Sequence, residues 1–91
     1  MERKRSRADI IHDMLSIIQD RKGKIKPTHL MYKANLSHKQ MKGYLDYLIS
    51  NKFVEKVEDG DRQMITITKK GRDFFSRYRQ LREFEDTFGI N

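Results

Sequence analysis

The sequence predicts an α+β fold that is mostly α, and three observations carry that reading. Apolar residues recur at helical spacing in three successive segments of the first half. Two short runs rich in β-branched residues follow, separated by an Asp-Gly pair. A final segment returns to helical spacing and continues almost to the end of the chain. Each element has its own local signals.

Ser6 followed by Asp9 marks a helix start, with the acidic residue near the positive end of the helix dipole. Ile10, Ile11, Met14, Leu15, Ile17 and Ile18 then form one face of a helix over about 7–21. Arg21, Lys22 and Lys24 suit a helix end, and Gly23 can take the left-handed cap. Ile25 fits a very short strand. Pro27 begins a second helix over about 27–34, because the N–H it lacks is unpaired at a first helical position anyway.

Asn35 and Leu36 make a tight turn, and Ser37 with Gln40 gives the Ser-x-x-Gln capping box of a third helix. Met41, Tyr44, Leu45, Leu48 and Ile49 are its buried stripe, and Asn51 and Lys52 end it. A helix pair joined this tightly is built to push its second member into a DNA groove.

Residues 53–57 and 63–68 read as strands, and Asp59-Gly60 suits a type I′ hairpin turn. Two strands alone are marginal, so the ribbon must lie against the helices. Thr68 caps the last helix, which runs over about 69–87 with apolar positions Phe74, Phe75, Tyr78, Leu81, Phe84 and Phe88. At 1.5 Å per residue such a helix is about 30 Å long, more than so small a domain covers. Its aromatic face needs a partner, and a second copy of the chain is the simplest one.

With 91 residues the chain is one structural unit. Residues 1–68 are expected to form the DNA-binding domain with its basic arm, and 69–91 the dimerisation helix of the same unit. Net charge is +7, and its distribution is more informative than its total. Residues 1–42 hold eleven Lys/Arg and four Asp/Glu, whereas residues 43–91 hold nine of each. The whole excess lies on the N-terminal arm, the first two helices and the start of the third, which favours a polyanionic partner.

Other chemistry is not indicated. There is no cysteine, so disulfides and thiol catalysis are excluded. His12, His29 and His38 are isolated, and no carboxylate pair repeats at metal-ligand spacing. The five glycines are scattered and form no phosphate-binding loop. Ser37 and His38 are neighbours on a helix and point about 100° apart, so they do not make a nucleophile–base pair. No enzyme, metal, cofactor or small-molecule substrate is expected. No apolar run is long enough to span a membrane, and a cytoplasmic, nucleoid-associated protein is the expectation.

Helix, helix, helix, hairpin and long terminal helix is the winged helix-turn-helix order. The runs Met31-Tyr-Lys-Ala-Asn-Leu-Ser37 and Thr66-x-Thr68-Lys-Lys-Gly71, with Tyr44-Leu45 and Leu48 between them, resemble a group of small archaeal winged-helix proteins. The resemblance covers roughly residues 8–82. It implies a basic, chromatin-associated DNA-binding protein or transcription regulator that dimerises through a coiled coil of its terminal helices.

Placed on a helical wheel, Lys39, Gln40, Gly43 and Tyr47 of the third helix point away from the buried stripe, with Lys42 on one flank. Gln40 can pair with adenine, and Lys39 and Lys42 can reach guanine or phosphate. Gly43 allows close backbone approach, and Ser37 caps the helix or touches a phosphate. Arg3, Lys4 and Arg5 of the arm, with Arg7, are expected to follow the backbone or enter a minor groove. Arg62 beside the wing is expected to contact a phosphate, while acidic Asp59 and Asp61 argue against deep insertion of the tip, so the wing is expected to serve mainly as core cover. His38 is expected to pack against the core. The expected partners are double-stranded DNA through the third helix and a second copy through Phe74, Phe75, Tyr78, Leu81, Phe84 and Phe88. The rival reading is a protein-interaction module whose basic face docks an acidic partner in a transcription or replication assembly.

Overall fold

The computed structural model describes residues 5–90. Helix α1 spans Arg7–Asp20 and leads through the two-residue strand β1 (Lys24–Ile25) to α2 (Pro27–Lys33) and α3 (His38–Ser50). Strands β2 (Val54–Asp59) and β3 (Arg62–Ile67) precede the long helix α4 (Lys69–Phe88). The observed order is the expected α+β arrangement, with β1 adding a third strand to the hairpin. The sheet order is β1-β3-β2 and every pair is antiparallel, with Ile25 opposite Ile65 and Val54 opposite Ile67.

The helix starts follow the sequence signals. At α1 the Ser6 hydroxyl accepts the Asp9 N–H while the Asp9 carboxylate accepts the Ser6 N–H, both at 3.1 Å. The same box closes at α3, where Ser37 Oγ accepts from Gln40 N at 3.2 Å and Gln40 Oε1 accepts from Ser37 N at 3.0 Å. Each box satisfies two backbone donors that helix geometry leaves unpaired.

The helix ends differ from expectation in one respect. Lys22, Asn35 and Lys52 all have φ near +60°, and in each case the next residue donates back five positions, as in Leu36 N to Met31 O at 3.1 Å. These are Schellman ends. Gly23 is left-handed as expected, at φ 84°, but Lys22 before it already takes the cap position, because α1 finishes a residue early at Asp20. Asn35 supplies the bend between α2 and α3 and tolerates that conformation through its short polar side chain.

The hairpin turn is also shifted. Asp59 pairs with Arg62, so the two-residue loop is Gly60-Asp61, and of these Gly60 alone has positive φ, at 66°. Glycine first is the type II′ pattern, not the expected type I′ with Asp59 in the loop. Pairing extends one residue further than the β-branched run because Asp59 still meets a backbone partner.

Met14, Leu15, Ile18, Leu30, Leu48, Val54 and Ile65 are fully buried and draw α1, α2, α3 and the sheet into one core. Burying each such side chain contributes about 1.5–3 kcal/mol. Helix α4 joins through its first turns. Gly71 is buried where a Cβ would lie 2.2 Å from the Phe53 carbonyl oxygen, so only glycine allows this approach. Thr68 Oγ1 accepts from Gly71 N and donates to the Phe53 carbonyl. Beyond Tyr78 the helix leaves the core, consistent with a molecule 48 Å long and 27 Å wide.

Candidate nucleic-acid interface

The solvent side of α3 is open along its length. Lys39, Gln40, Lys42, Gly43, Asp46 and Ser50 are exposed, while Met41, Leu45 and Leu48 face the core. A Cβ added at Gly43 would meet no protein atom within 4 Å, so the fold itself does not require glycine there. Lys39 and Lys42 form no ion pair among the described residues, which leaves both charges available. Ser37 and Gln40 are exposed but committed to the capping box, so Gln40 keeps its amide N–H₂ free while its Oε1 is held by Ser37. Two-point recognition of a base by Gln40 therefore requires that bond to open.

Tyr47 is placed differently from the wheel expectation. It is half-buried, packs against the core and stands 6.5 Å from the Phe53 ring. Its other side carries the Arg7 guanidinium, 5.2 Å from the ring centroid. Arg7 belongs to the first turn of α1, so the N-terminal end of that helix borders the α3 face. A contact between residues forty apart leaves no periodic trace in the sequence, although the basic character of residues 3–7 pointed to this end of the chain.

Arg3 and Lys4 lie outside the described residues. Arg5 is engaged within the domain: it pairs with Asp13 at 3.0 Å and donates to the Ala34 carbonyl at 3.3 Å. It thus links α1 to the end of α2 instead of hanging free as an arm. Arg62 is exposed at the start of β3, next to Asp59 and Asp61 on an acidic tip, and Asp59 lies 3.8 Å from Lys24. His38 is exposed, not packed, because the first position of α3 precedes the first buried residue, Met41, by nearly a full turn.

The expected dimer residues fall into two sets. Phe74, Phe75 and Tyr78 are half-buried against the chain's own core and α1. Phe75 stacks on His12 with centroids 4.8 Å apart, Phe74 meets Phe53 at 5.2 Å, and Tyr78 lies beside His12. The Tyr78 hydroxyl donates to the Asp9 carboxylate, which Arg82 also approaches at 3.6 Å. These partners hold the Asp9 carboxyl at about 2, well below its ordinary 3.8, with the Tyr78 hydrogen bond the main cause. Burial pushes His12 down from its usual value, since its ring is sandwiched by aromatics and its Nε2 finds no hydrogen-bond partner. By contrast Leu81, Phe84, Phe88 and Ile90 are each more than half exposed, and Phe84 and Phe88 stack on one another at 4.8 Å. That second set is the part of the aromatic face left without a covering.

A further concentration of positive charge surrounds the β1–α2 junction, where Arg21, Lys24, Lys26 and His29 border one shallow depression. Arg21 donates to the His29 ring, and His29 is shifted below its ordinary pKa by desolvation and by repulsion from Arg21, Lys33 and Lys26. The excess charge seen in the sequence is thus split between this junction and the α3 face. Among the described residues no helix is long and apolar enough to cross a membrane, and no cluster of three or more His, Cys, Asp or Glu could hold a metal ion.

Comparison with known proteins agrees with this geometry. A family model described as winged helix-turn-helix matches residues 4–86. The chain belongs to that winged helix-turn-helix family. An uncharacterized protein of Methanocaldococcus jannaschii is 34% identical over 80 residues, covering 88% of this winged-helix chain and 76% of the relative. A second protein of the same archaeon is 37% identical over 68 residues, which are 75% of this chain and 29% of that longer protein.

Among solved structures, Sso10a-2, a DNA-binding protein from Sulfolobus solfataricus, superposes with a TM-score of 0.76 at 21% identity, over 92% of this chain and 85% of that one. The winged-helix DNA-binding protein of STIV gives 0.73 at 18% identity, over 90% and 92%. A MarR variant from E. coli in complex with operator DNA gives 0.69 at 20% identity, over 78% and 52%. At these identities the likeness establishes the winged-helix fold, which those DNA-binding proteins share.

Proposed function

We propose that this winged-helix protein binds double-stranded DNA as a homodimer, as a transcription regulator or an architectural protein of chromatin, with α3 of each subunit in a major groove. The observation that carries the reading is the outward face of α3, where Lys39 and Lys42 flank an open Gly43 and have no acidic partner among the described residues. A cationic helix face with its first turn exposed matches a duplex groove in shape and charge. Most of the affinity then comes from phosphate pairing and counterion release. Relatives whose structures carry this fold are described as DNA-binding, which supports the same assignment. The second copy is held through the uncovered apolar face of α4, namely Leu81, Phe84 and Phe88. Phe74, Phe75 and Tyr78 serve mainly to fix α4 to its own domain.

The test is a titration of a labelled duplex at several salt concentrations. Each neutralised phosphate contributes roughly −0.9 to the slope of log K against log salt. Lys39→Ala with Lys42→Ala is expected to weaken binding and flatten the slope by up to about two such increments. A slope identical to wild type, with the fold intact, rejects α3 as the DNA-facing element.

The acidic wing tip, Glu58, Asp59 and Asp61, favours a second reading, because phosphates repel it. In that reading the basic face docks an acidic protein of a transcription or replication assembly. Absence of duplex binding at moderate salt selects it.

A further inference from the structure

A shallow cleft of about 350 Å³ runs between the N-terminal end of α1 and the outer face of α3, lined by Arg7, Lys39, Gln40, Gly43, Tyr44 and Tyr47. None of these residues carries a carboxylate. Its rims are cationic and its floor is two tyrosine rings and a glycine. We infer that this cleft seats a segment of the sugar–phosphate backbone beside the groove that α3 enters, with Arg7 as its phosphate contact and Tyr47 as the plate that positions Arg7. The inference rests on the DNA-binding reading and adds to it a residue, a second element and a division of labour.

Arg7 differs in its pairing from Arg5, Arg79 and Arg82. Arg5 pairs with Asp13, Arg79 with Glu83 and Arg82 with Asp9, whereas Arg7 pairs with no acidic side chain among the described residues. The two acids of α1 nearest Arg7 in sequence are already engaged. Asp9 accepts from Tyr78 and from the Ser6 backbone, and Asp13 accepts from Arg5. What holds Arg7 is the face of Tyr47, with Cζ 5.2 Å from the ring centroid. An arginine stacked on an aromatic keeps its outer N–H edge free and its plane fixed, so less freedom is lost when it pairs with an anion.

Tyr47 is itself fixed, by packing on the core and by the Phe53 ring. A nucleic-acid strand alternates anionic phosphates with apolar deoxyriboses. The cleft offers the matching alternation: Arg7 and Lys39 at its edges for phosphate, and Tyr44, Tyr47 and the bare Gly43 backbone for the sugar face. An acidic peptide would match the rims but has no comparable apolar repeat for the floor. Tyr47 is accordingly a positioning residue and not a reader of bases.

The experiment measures duplex affinity against salt by fluorescence anisotropy for wild type, Arg7→Ala, Arg7→Lys, Tyr47→Leu, Tyr47→Phe and the Arg7→Ala/Tyr47→Leu double variant. Arg7→Ala is expected to weaken binding several-fold and to reduce the slope by about 0.9, the loss of one phosphate contact. Arg7→Lys restores the slope, because charge is kept. Tyr47→Leu mimics Arg7→Ala, the double variant is no weaker than either single one, and Tyr47→Phe rescues, since the ring suffices. An unchanged slope in Arg7→Ala, with wild type binding duplex, overturns the cleft assignment and leaves the DNA reading standing. Additive losses in the double variant overturn the role of Tyr47. Wild type that ignores duplex but binds polyglutamate overturns both the cleft and the DNA reading. Should Tyr47→Leu fail to fold, Arg7→Ala against Arg7→Lys still decides the phosphate contact, and Tyr47→Phe still decides the plate: lost affinity there would show that the hydroxyl, not the ring, matters.

Discussion

Gly43 offers a perturbation whose two consequences have opposite signs. It is the sixth residue of the thirteen-residue α3, has no positive φ, and faces open space where a Cβ would sit. Glycine inside a helix is about 0.8–1 kcal/mol less favourable than alanine, through the extra backbone freedom it loses on folding. No steric term opposes the gain, so Gly43→Ala is expected to stabilise the protein by about 1 kcal/mol. For a chain of this size that raises the melting temperature by about 4–8 °C. If DNA backbone or base edges approach the α3 main chain here, the new methyl group holds them off and the dissociation constant rises about tenfold, or 1.4 kcal/mol. Scanning calorimetry reads the first effect and duplex titration at fixed salt reads the second. A more stable protein with unchanged affinity refutes close approach at Gly43. A less stable one refutes the open environment described above.

Other substitutions probe how α4 is attached and used. Gly71→Ala is expected to act oppositely to Gly43→Ala, because its Cβ would fall 2.2 Å from the Phe53 oxygen and 2.8 Å from Ile67 Cγ1. A backbone atom cannot swing aside, so a loss near the upper end of the usual 1–3 kcal/mol for overpacking follows, and an unchanged urea midpoint would contradict it. Asp9 ties stability to acid. Its folded pKa of about 2 lies below the ordinary 3.8, so its contribution of about 2 kcal/mol is complete above pH 4 to 5 and disappears as pH falls through 2. His12, depressed by burial, acts in the same direction at higher pH, losing stability as pH falls below 6.5. Tyr78→Phe removes the main cause of the Asp9 shift; urea midpoints at pH 7, 4 and 2 should then converge below pH 4 toward those of wild type, and a constant offset across all three counts against the pairing. Leu81→Glu, at a position 53% exposed, is expected to leave the monomer fold intact and halve the mass seen by light scattering. An unaltered mass rejects α4 as a dimer interface.

Much of this fold was legible because its signals are local. Ser6 with Asp9 and Ser37 with Gln40 announce helix starts within four residues, and the apolar stripes of α1 and α3 announce which side is buried. The hairpin was legible in kind but not in register, since an Asp-Gly pair fits more than one two-residue loop and the pairing of Asp59 with Arg62 chose between them. Left-handed Lys22 and Lys52 were not legible, because lysine carries no preference for that conformation and the Schellman bonds impose it. The site divided in the same way. Lys39, Lys42 and Gly43 could be placed on the open face by counting along one helix. Arg7 on Tyr47, Phe75 on His12 and Tyr78 on Asp9 join elements between 40 and 69 residues apart, and only packing reveals them. His38 shows where counting misleads, since angle on a wheel says nothing of how far along the axis the core extends.

The tight seat of Gly71 on Phe53, followed by Phe75 and Tyr78 along α1, clamps the terminal helix at two points more than a turn apart. A beam clamped in this way transmits orientation as well as tension. Whatever is gripped at its far tip is set at a definite span and angle from the domain, so the helix length between them acts as a ruler. Adding one turn, about 5.4 Å, would lengthen that ruler without touching either end.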